Sequence, residues 1–482
     1  MAFLGIDVGS SSVKACVIDH DGRILDFVTT DIGNLIQRPA PSWAERDPET
    51  LWNAVRLTLQ KLTNQTSIES ICVDATSGSV LAVDRDLRAL CPILLYSDKR
   101  AEQEAKYVLQ ESSVARDYEV YLPLDPYLVL PKILWMRSHL ASFGKVNKIL
   151  NEGDFIQMKL TGEVCTSPNV AGKAHIDIRS GDYLRDLYED LRIDMDLLPP
   201  VKPIGKDIGH VSESSSDQTK LPEKAVVING ITDSTASDVA TGTLDTGQLN
   251  ACMGTSLVVH AVAGNPIPDR LKRIYYKSYL QGRFLAGGAT DAGTLPMTGL
   301  SRLLGKVVQE LDLQAEKVPT GCEGLIAQPQ WIGSRVPDHN PNVRGFFTGI
   351  TERNFTAGHL FRSILEGNAV MVSQLVDIIE DVTRARVLEI RTSGGGSKSD
   401  VQNHTIADAT GRAVLAIETN EASIGSAILA AWGLTQEPIS IIARRVVRIR
   451  RRFEPNLQVR EMYMKVARRL QLLSARIYDE ET

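Results

Sequence analysis

The sequence predicts an α/β protein with two domains of similar construction that close on one nucleotide. Two glycine-containing turns carry this prediction, because each lies between apolar runs and they are about 245 residues apart. The first lies within Phe3–Ser11 and the second within Cys252–Ser256. Glycine lets backbone N–H groups face an anion, and Ser or Thr adds a hydroxyl donor. One such turn is usually only a hairpin turn, so the pair is more informative than either turn alone.

The composition is that of a globular protein. The 482 residues, 43% hydrophobic and 23% charged, suffice for two or three domains with full cores. The net charge of −6 argues against a nucleic-acid partner, and no apolar stretch approaches the roughly 18 residues of a membrane span. The six cysteines are scattered, and the start lacks the charged front of a signal peptide. We therefore expect a cytoplasmic monomer or homodimer that acts on a small molecule, without a nucleic-acid or membrane partner.

The opening of the chain is predicted to be a β meander followed by a helix and another strand. The meander strands are expected at residues 3–7, 13–18 and 23–29. A helix should begin after Asp47, which suits a helix N-cap, with Pro48 in its first turn. A buried strand at 70–74 then ends in the turn 75–79. This order indicates an α/β layer with a mixed sheet.

The second half of the chain repeats this order. Its expected elements are a strand at 225–229, a helix opened by 230–234, a hairpin of 249–253 and 257–262, a long helix at 356–379, strands at 387–392 and 414–417, and a helix at 423–432. Between the halves, residues 101–215 are expected to be mostly helical. The polar run Ser212–Asp217 is predicted to be a surface loop.

Two carboxylates are candidates for phosphoryl transfer. That reaction needs donors and a metal for the phosphates, and a carboxylate that takes the proton of the attacking hydroxyl. Asp7 leads into the first turn, where it could hold Mg²⁺ through water. Asp233 ends a buried strand and opens a helix, which suits a fixed carboxylate facing a cleft. The ordinary alternatives are a turn-anchoring role for Asp7 and a helix N-cap for Asp233.

Three further segments have both a functional and an ordinary interpretation. The triple glycine Gly394–Gly396 could lie against adenine and ribose, or it could be a simple strand-to-helix turn. Asp98 and Arg100 could bind polyol hydroxyls, or they could belong to a surface charge cluster. Six arginines between Arg444 and Arg452 could bind phosphate or RNA, but the acidic total charge favours a solvated face.

Taken together, these segments resemble the FGGY family of carbohydrate kinases, within the superfamily of sugar kinases, Hsp70 and actin. The resemblance runs from Phe3 to about Tyr463. The motifs that carry it are Gly5–Lys14, Trp331–Pro337, Gly345–Ile350 with His359–Glu366, Glu421–Ala427 and Phe453–Tyr463. In the second of these, Ser334 replaces the more usual Glu.

The resemblance implies two ribonuclease-H-like domains, of the actin, hexokinase and Hsp70 type, with a cleft between them. Residues 1–230 would bind the sugar and carry the first phosphate turn, and residues 231–440 would bind the nucleotide. Residues 441–482 would be a C-terminal segment that packs on the body. ATP and Mg²⁺ are the implied cosubstrate and metal.

The resemblance also implies a role for each candidate residue. Asp233 would be the base for the sugar hydroxyl, and Asp7 would lie near the metal and the transferred phosphate. The ATP phosphates would be held by Gly9, Ser10, Ser11 and Lys14 on one side and by Gly254, Thr255 and Ser256 on the other. Gly394, Gly395 and Gly396 would lie against adenosine, and the sugar would contact Thr76, Ser77, Asp98, Arg100 and Asp233. After the triple glycine the family often has Trp and Gln, whereas this chain has Gln402 and His404, so ligand contacts from that helix stay open.

The implied reaction transfers the γ-phosphate of ATP to the terminal hydroxyl of a ketopentose, D-ribulose or D-xylulose. The better-known xylulokinases carry a Met-His pair near Ser77–Gly78, so this chain resembles a smaller branch of ribulose and xylulose kinase-like proteins. One alternative is another polyol, such as glycerol, erythritol, a deoxysugar or a signalling sugar. Others are a non-catalytic nucleotide-driven protein like actin or Hsp70, and an inactive sugar sensor.

Overall fold

The computed structural model describes residues 1–63 and 65–478. The strands are β1 Ala2–Val8, β2 Ser12–Asp19, β3 Ile24–Asp31, β4 Glu45–Arg46, β5 Ile68–Ala75, β6 Val80–Val83, β7 Ile93–Leu94, β8 Lys148–Asn151, β9 Asp207–His210, β10 Val226–Thr232, β11 Gln248–Met253, β12 Leu257–Ala263, β13 Tyr275–Ser278, β14 Phe284–Thr290, β15 Ile326–Ala327, β16 Phe347–Thr348, β17 Glu389–Ser393, β18 Ala413–Ile417 and β19 Ile449–Phe453. The helices are α1 Pro48–Gln60, α2 Glu102–Glu111, α3 Ser113–Tyr118, α4 Val129–His139, α5 Glu152–Thr161, α6 Pro168–Ala171, α7 Arg185–Asp190, α8 Glu213–Thr219, α9 Asp233–Ala240, α10 Thr294–Leu304, α11 Val308–Glu316, α12 Ala357–Thr383, α13 Asp400–Thr410, α14 Ala422–Thr435, α15 Ile439–Val446 and α16 Arg460–Tyr478. None of the helices in these two ranges combines the length and apolar character that crossing a bilayer requires.

The chain forms two compact units, and each contains a mixed sheet, so the predicted α/β class is confirmed. The first unit contains Met1–Gly242, Lys277–Arg283 and Thr419–Val447, and the second contains the rest of the described chain. The domain limits 230/231 and 440/441 remain predictions. The last four residues of the segment 441–482 lie outside the described chain.

The sheet of the first unit has the order β3-β2-β1-β5-β10-β9. All seven residues of the central strand β1 are buried, which explains its nearly continuous apolar sequence. β1, β2 and β3 form the predicted antiparallel meander, whereas β5 and β10 run parallel to β1. The carboxyl ends of β1, β5 and β10 therefore meet at one edge of the sheet.

Helix α14 packs closely on this sheet and on α9, and glycines permit the approach. A Cβ added at Gly5 in β1 would lie 1.8 Å from the carbonyl oxygen of Ser423. A Cβ added at Gly425 would lie 1.9 Å from the carbonyl oxygen of Ala236 in α9. Because real Cβ atoms do not approach so closely, both contacts need a residue without a side chain.

The sheet of the second unit has the order β13-β14-β12-β11-β17-β18-β19. β11 and β12 form the predicted antiparallel hairpin, and β17 and β18 lie parallel to β11 and to each other. Thr356 is the N-cap of the long helix α12, and its hydroxyl accepts a hydrogen bond from the backbone N–H of His359. Its apolar face contributes to a core with α10 and α11.

The prediction of a surface loop at 212–217 is wrong, because helix α8 occupies this region. Ser212 caps the helix by accepting a hydrogen bond from the backbone N–H of Ser215 at 3.3 Å. The Thr219 hydroxyl donates to the Ser215 carbonyl at 2.6 Å, and the Trp52 indole donates to Gln218 at 3.0 Å. Capping and contact with α1 therefore outweigh the low helix propensity of the serines.

Strand β10 also runs further than predicted, from Val226 to Thr232, and helix α9 begins at Asp233. The register between β10 and β5 shifts between Ile228 and Ile231. A Cβ on the intervening Gly230 would lie 1.9 Å from the carbonyl oxygen of Val73. The glycine thus serves a close strand contact rather than the predicted helix start.

The arginine-rich tail supports the interpretation as a solvated face. The first four residues of β19 are exposed. Arg450 and Arg451 pair with Asp400 at 2.7 and 2.6 Å, and Arg445 pairs with Glu437 at 2.6 Å. Acidic partners within the chain therefore neutralise part of this charge.

We predict that Gly425→Ala lowers the free energy of unfolding by about 1–3 kcal/mol, because the new methyl group overpacks the contact between α14 and α9. Urea unfolding followed by tryptophan fluorescence measures the change. Gly144→Ala is the matched control, since nothing lies within 4 Å of its added Cβ. Equal stability of the two variants would contradict the close packing.

Candidate active site

A row of charged side chains crosses three neighbouring strands of the first unit. Asp7 in β1 is in register with Lys14 in β2 and with Asp74 in β5. Residues in register on adjacent strands project from the same face, so the three side chains lie side by side. The distance from Lys14 Nζ to Asp7 Oδ2 is 3.9 Å. The sequence prediction included Asp7 and Lys14 but missed Asp74, which ends an apolar strand and has no motif around it.

A negative charge on both Asp7 and Asp74 costs free energy, because the two carboxyl groups are buried and lie side by side. Burial, and then the charge of Asp7, raise the pKa of Asp74 well above its ordinary value, while Ser426 donates a hydrogen bond to Asp74 Oδ2 at 2.5 Å. Burial, followed by the charge of Asp233, also raises the pKa of Asp7. Asp74 is completely buried and Asp7 is 6% exposed. Burial therefore disfavours the charged form of Asp74 even more than that of Asp7.

Residues from the far end of the sequence complete this row. Glu421, immediately before α14, forms an ion pair with Lys14, and Ser426 within α14 binds Asp74. The Glu421 side chain is 43% exposed and the Lys14 side chain 25% exposed, so both can reach solvent. The resemblance identified the segment Glu421–Ala427, but its contacts with residues over 350 positions away could not be read from spacing.

Asp233 lies at the same sheet edge. It follows β10, in which Ile231 and Thr232 are in register with Asp74 and Ala75. Thr232 occupies the N-cap position, so the N-cap alternative for Asp233 is wrong. The Asp233 carboxylate accepts a hydrogen bond from the backbone N–H of Ser234 at 2.7 Å, and the residue as a whole is partly exposed.

Opposing effects act on the pKa of Asp233. Burial raises it most, whereas the N–H of Ser234, the charges of Lys277 and Lys173, and the N–H of Ser77 oppose the rise. The pKa of Asp233 is raised in balance, which suits a carboxylate that accepts a proton. The sequence prediction missed both lysines.

The turn after β5 lies beside Asp233. The Ser77 hydroxyl has no hydrogen-bond partner among the described residues, and its backbone N–H acts on Asp233. The Thr76 hydroxyl instead donates to Glu152 at 2.7 Å. The structure therefore brings Ser77 to the candidate base, while Thr76 is engaged within the protein.

The buried ion pair of Arg46 and Glu152 contacts two turns, the turn Gly9–Ser11 and the turn after β5. Arg46 and Glu152 are completely buried, and Arg46 Nε lies 3.0 Å from Glu152 Oε1. The guanidinium group of Arg46 also donates to the Gly9 carbonyl at 3.3 Å. Since Glu152 binds Thr76, this pair connects the first phosphate turn with the turn after β5. Neither residue was predicted.

The turn Gly9–Ser11, predicted to bind phosphate, has the donors that an anion requires. Gly9 to Ser11 connect β1 to β2, and the Gly9 N–H is used within the turn, donating to the Ser12 carbonyl at 2.9 Å. Within the described chain, the N–H groups of Ser10 and Ser11 donate to no acceptor, and Ser11 is exposed. This turn can therefore accept an anion from solvent.

The two nucleotide segments predicted in the second unit are neighbours. A Cβ on Gly394, whose φ is +77°, would lie 2.7 Å from the Met253 carbonyl oxygen and 3.1 Å from the Gly254 nitrogen. A Cβ on Gly396 would meet the Met253 side chain at 2.8 Å, whereas nothing lies within 4 Å of one on Gly395. Two of the three glycines thus serve packing, and the middle one borders open space.

The turn Gly254–Ser256, also predicted to bind phosphate, contacts the side chain of Arg335. Thr255 is exposed, and the Ser256 hydroxyl accepts a hydrogen bond from Arg335 at 2.9 Å. Arg335 pairs with Asp291 at 2.9 Å and is 49% exposed. The sequence contained this arginine in a motif of the resemblance but gave it no role.

Asp98 and Arg100 form a buried pair, so the alternative of a surface cluster is wrong. Asp98 is completely buried and accepts hydrogen bonds from the Ala44 N–H at 2.6 Å and from Arg100 at 2.8 Å. Arg100 also pairs with Glu45 at 2.6 Å and lies 3.8 Å over the ring of Trp43. Contact of this pair with a sugar remains a prediction.

The structure shows where Gln402 and His404 lie in helix α13, which follows the triple glycine. Their contact with a ligand was left open by the sequence. Gln402 is completely buried and donates to the Leu365 carbonyl at 2.9 Å, so it serves the core. His404 is 55% exposed and lies 3.5 Å from Asp408.

A magnesium ion would be held here through water rather than by a cage of side chains. Among the residues described, no group of three or more His, Cys, Asp or Glu has the arrangement for direct metal binding. Asp7 is the slightly exposed member of the carboxyl row, and the neighbouring Asp74 Oδ1 accepts no hydrogen bond within the described chain. A hydrated cation fits this acidic, partly accessible edge.

The comparisons with known proteins agree over nearly the whole chain. The N-terminal domain of the FGGY family of carbohydrate kinases matches residues 2–240, and its C-terminal domain matches residues 249–434. The xylulose kinase of Klebsiella pneumoniae is 26% identical over 422 residues, covering 85% of each chain. The gluconokinase of Bacillus subtilis is 25% identical over 450 residues, covering 88% of this chain and 86% of that protein.

A solved structure confirms the predicted fold. The crystal structure of xylulose kinase from Rhodospirillum rubrum superposes with a TM-score of 0.90 at 25% identity and covers 99% of each chain. The fold and the comparisons thus define a two-domain kinase that phosphorylates a carbohydrate. The chain belongs to the FGGY family of carbohydrate kinases.

We predict that Arg46→Met lowers the free energy of unfolding by about 3–5 kcal/mol, because it leaves the Glu152 carboxylate buried without its partner. Adding Glu152→Gln should recover part of the loss, and urea unfolding measures both variants. Lys106→Met removes an exposed ion pair with Glu102 and should leave the unfolding midpoint nearly unchanged. A single variant as stable as the wild type would refute a supporting role for the pair.

Proposed function

We propose that this protein transfers the γ-phosphate of ATP, with Mg²⁺, to the terminal hydroxyl of a ketopentose, D-ribulose or D-xylulose. The observation that carries the proposal is the position of Asp233, a partly exposed residue that opens α9 at the sheet edge that also holds Asp7. In this proposal Asp233 takes the proton of the attacking hydroxyl. Ser77, whose hydroxyl lacks a partner among the described residues, contacts the sugar together with Thr76, Asp98 and Arg100.

The remaining candidates divide the binding of ATP. The free N–H groups of Ser10 and Ser11 support a phosphate site at the first turn, and Lys14 supplies a positive charge beside it. Gly254, Thr255 and Ser256 also bind the phosphates, and Gly394, Gly395 and Gly396 lie against adenosine. Asp7 holds Mg²⁺ through water, and the metal neutralises charge on the phosphates. We also propose the division at 230/231, the separate segment 441–482 and a cytoplasmic monomer or homodimer.

A sugar acid is a second candidate substrate. Lys173 and Lys277 both act electrostatically on Asp233, so two cations lie near the proposed base. A substrate carboxylate would complement them, and a relative named gluconokinase matches 88% of the chain. Glycerol, erythritol, deoxysugars and signalling sugars are the remaining candidate substrates.

We predict that Asp233→Asn lowers kcat by roughly 10²–10⁴-fold, the range of a general base, while ATP binding is nearly unchanged. Steady-state kinetics and calorimetric titration of ATP measure the two effects. Asp47→Asn is the matched control, because Asn also caps a helix and Asp47 belongs to α1. Near-normal turnover of Asp233→Asn would remove this residue from the base role.

A substrate panel tests the sugar. With D-ribulose, D-xylulose, D-gluconate, glycerol and erythritol, we expect the highest kcat/KM for a ketopentose, measured by ADP release. A preference for gluconate would instead support the sugar acid. ADP release that is independent of any added sugar would contradict the proposed reaction.

A further inference from the structure

Asn169 in α6 is a buried amide that the proposed reaction does not yet use. Its side chain is 3% exposed, and both ends of its carboxamide are hydrogen-bonded. Buried Asn residues are retained where their donors and acceptors are satisfied. The partners of this one all lie around Asp233.

The carboxamide oxygen binds the residue directly before Asp233. Asn169 Oδ1 accepts hydrogen bonds from the Thr232 backbone N–H at 2.9 Å and from the Thr232 hydroxyl at 3.1 Å. Thr232 is the N-cap residue of α9, but its own side chain makes no capping hydrogen bond. The Thr232 side chain is instead held by another segment of the chain.

The carboxamide nitrogen binds on the other side of Asp233. Asn169 Nδ2 donates to the hydroxyl of Thr235 at 3.1 Å, and the hydroxyls of Thr235 and Thr232 are 3.0 Å apart. Thr235 is completely buried. The backbone that carries Asp233 is thus fixed one residue before and two residues after it.

The second proton of the same nitrogen reaches a third segment. Asn169 Nδ2 donates to the Ser278 carbonyl at 2.7 Å. The preceding residue, Lys277, donates from Nζ to the hydroxyl of Ser234 at 2.7 Å, and its charge opposes the rise in the pKa of Asp233. One side chain therefore joins the start of α9 to the segment that carries this lysine.

We propose that Asn169 is a positioning residue that fixes the orientation of Asp233 and the placement of Lys277 beside it. The proposal rests on the proposed role of Asp233 as the base. A misplacement of about 1 Å in a catalytic group can cost roughly 10²-fold in rate, whereas substrate affinity depends less on that geometry. Loss of Asn169 should therefore reduce kcat more than it changes either KM.

Asn229 provides a matched control. It is also completely buried, and its Nδ2 donates to the carbonyls of Thr166, Lys202 and Pro203 at 3.1, 2.8 and 3.2 Å. Asn229 lies in β10, and none of these side-chain hydrogen bonds within the described residues reaches α9. Asn229→Ala removes a comparable set of buried hydrogen bonds without releasing the start of α9.

The test compares Asn169→Ala, Thr235→Val and Asn229→Ala in the full chain, with kcat and both KM values measured well below the unfolding midpoint. We expect Asn169→Ala to lower kcat by about 10–100-fold with less than about threefold change in either KM. Thr235→Val should lower kcat in the same direction but less, and Asn229→Ala should keep kcat within about twofold. If Asn169→Ala fails to fold, the kcat of Thr235→Val tests the proposal instead.

Equal kcat values for Asn169→Ala and Asn229→Ala would overturn the proposal, as would an unchanged kcat in Thr235→Val. Asp233→Asn separates this failure from failure of the proposed function. If Asp233→Asn is inactive while the Asn169 variant is not, only the positioning role is lost. If Asp233→Asn retains turnover, the base assignment and the positioning proposal both fall.

Discussion

Everything at the candidate site depends on the energetic cost of holding several carboxyl groups where water solvates them poorly. Asp7, Asp74 and Asp233 share one sheet edge, and burial raises the pKa of each. Repulsion from neighbouring acids adds to the rise for Asp7 and Asp74. The hydroxyl of Ser426, which donates to Asp74, and the charge of Lys14 beside Asp7 offset part of this cost. Because these compensating groups come from separate parts of the chain, the same contacts that stabilise the fold set the charge of the site.

In each unit, the strand order brings the candidate turns close together. In both sheets three antiparallel strands are followed by two parallel strands, β3-β2-β1 by β5 and β10 in the first and β14-β12-β11 by β17 and β18 in the second. The hairpin turn next to the parallel strands therefore lies beside their ends. The turn Gly9–Ser11 thereby approaches the loop after β5, and Gly254 approaches Gly394. A repeated topology, rather than a repeated sequence, brings the small residues together.

Local patterns predicted what is local. The β meander, the Asp47 cap, the β11–β12 hairpin and the two candidate aspartates follow from short-range alternation and turn chemistry. Asp74, Asn169 and Lys277 were missed, since each matters only through partners distant in sequence, and no spacing rule reports such contacts. Helix α8 was missed because serines read as a loop until a cap and a packing partner are known. The family resemblance assigned roles to the candidate residues, for which the local patterns had left alternatives open.

The return of Thr419–Val447 to the first unit has a consequence for biosynthesis. Residues 1–242 emerge from the ribosome long before α14 exists, so the apolar surface that this helix covers on β1 and β5 stays uncovered meanwhile. At about 5–20 residues per second, the delay is on the order of 10–40 s. Nascent chains would need chaperone protection during that interval, and an isolated N-terminal fragment would expose the same surface and tend to aggregate.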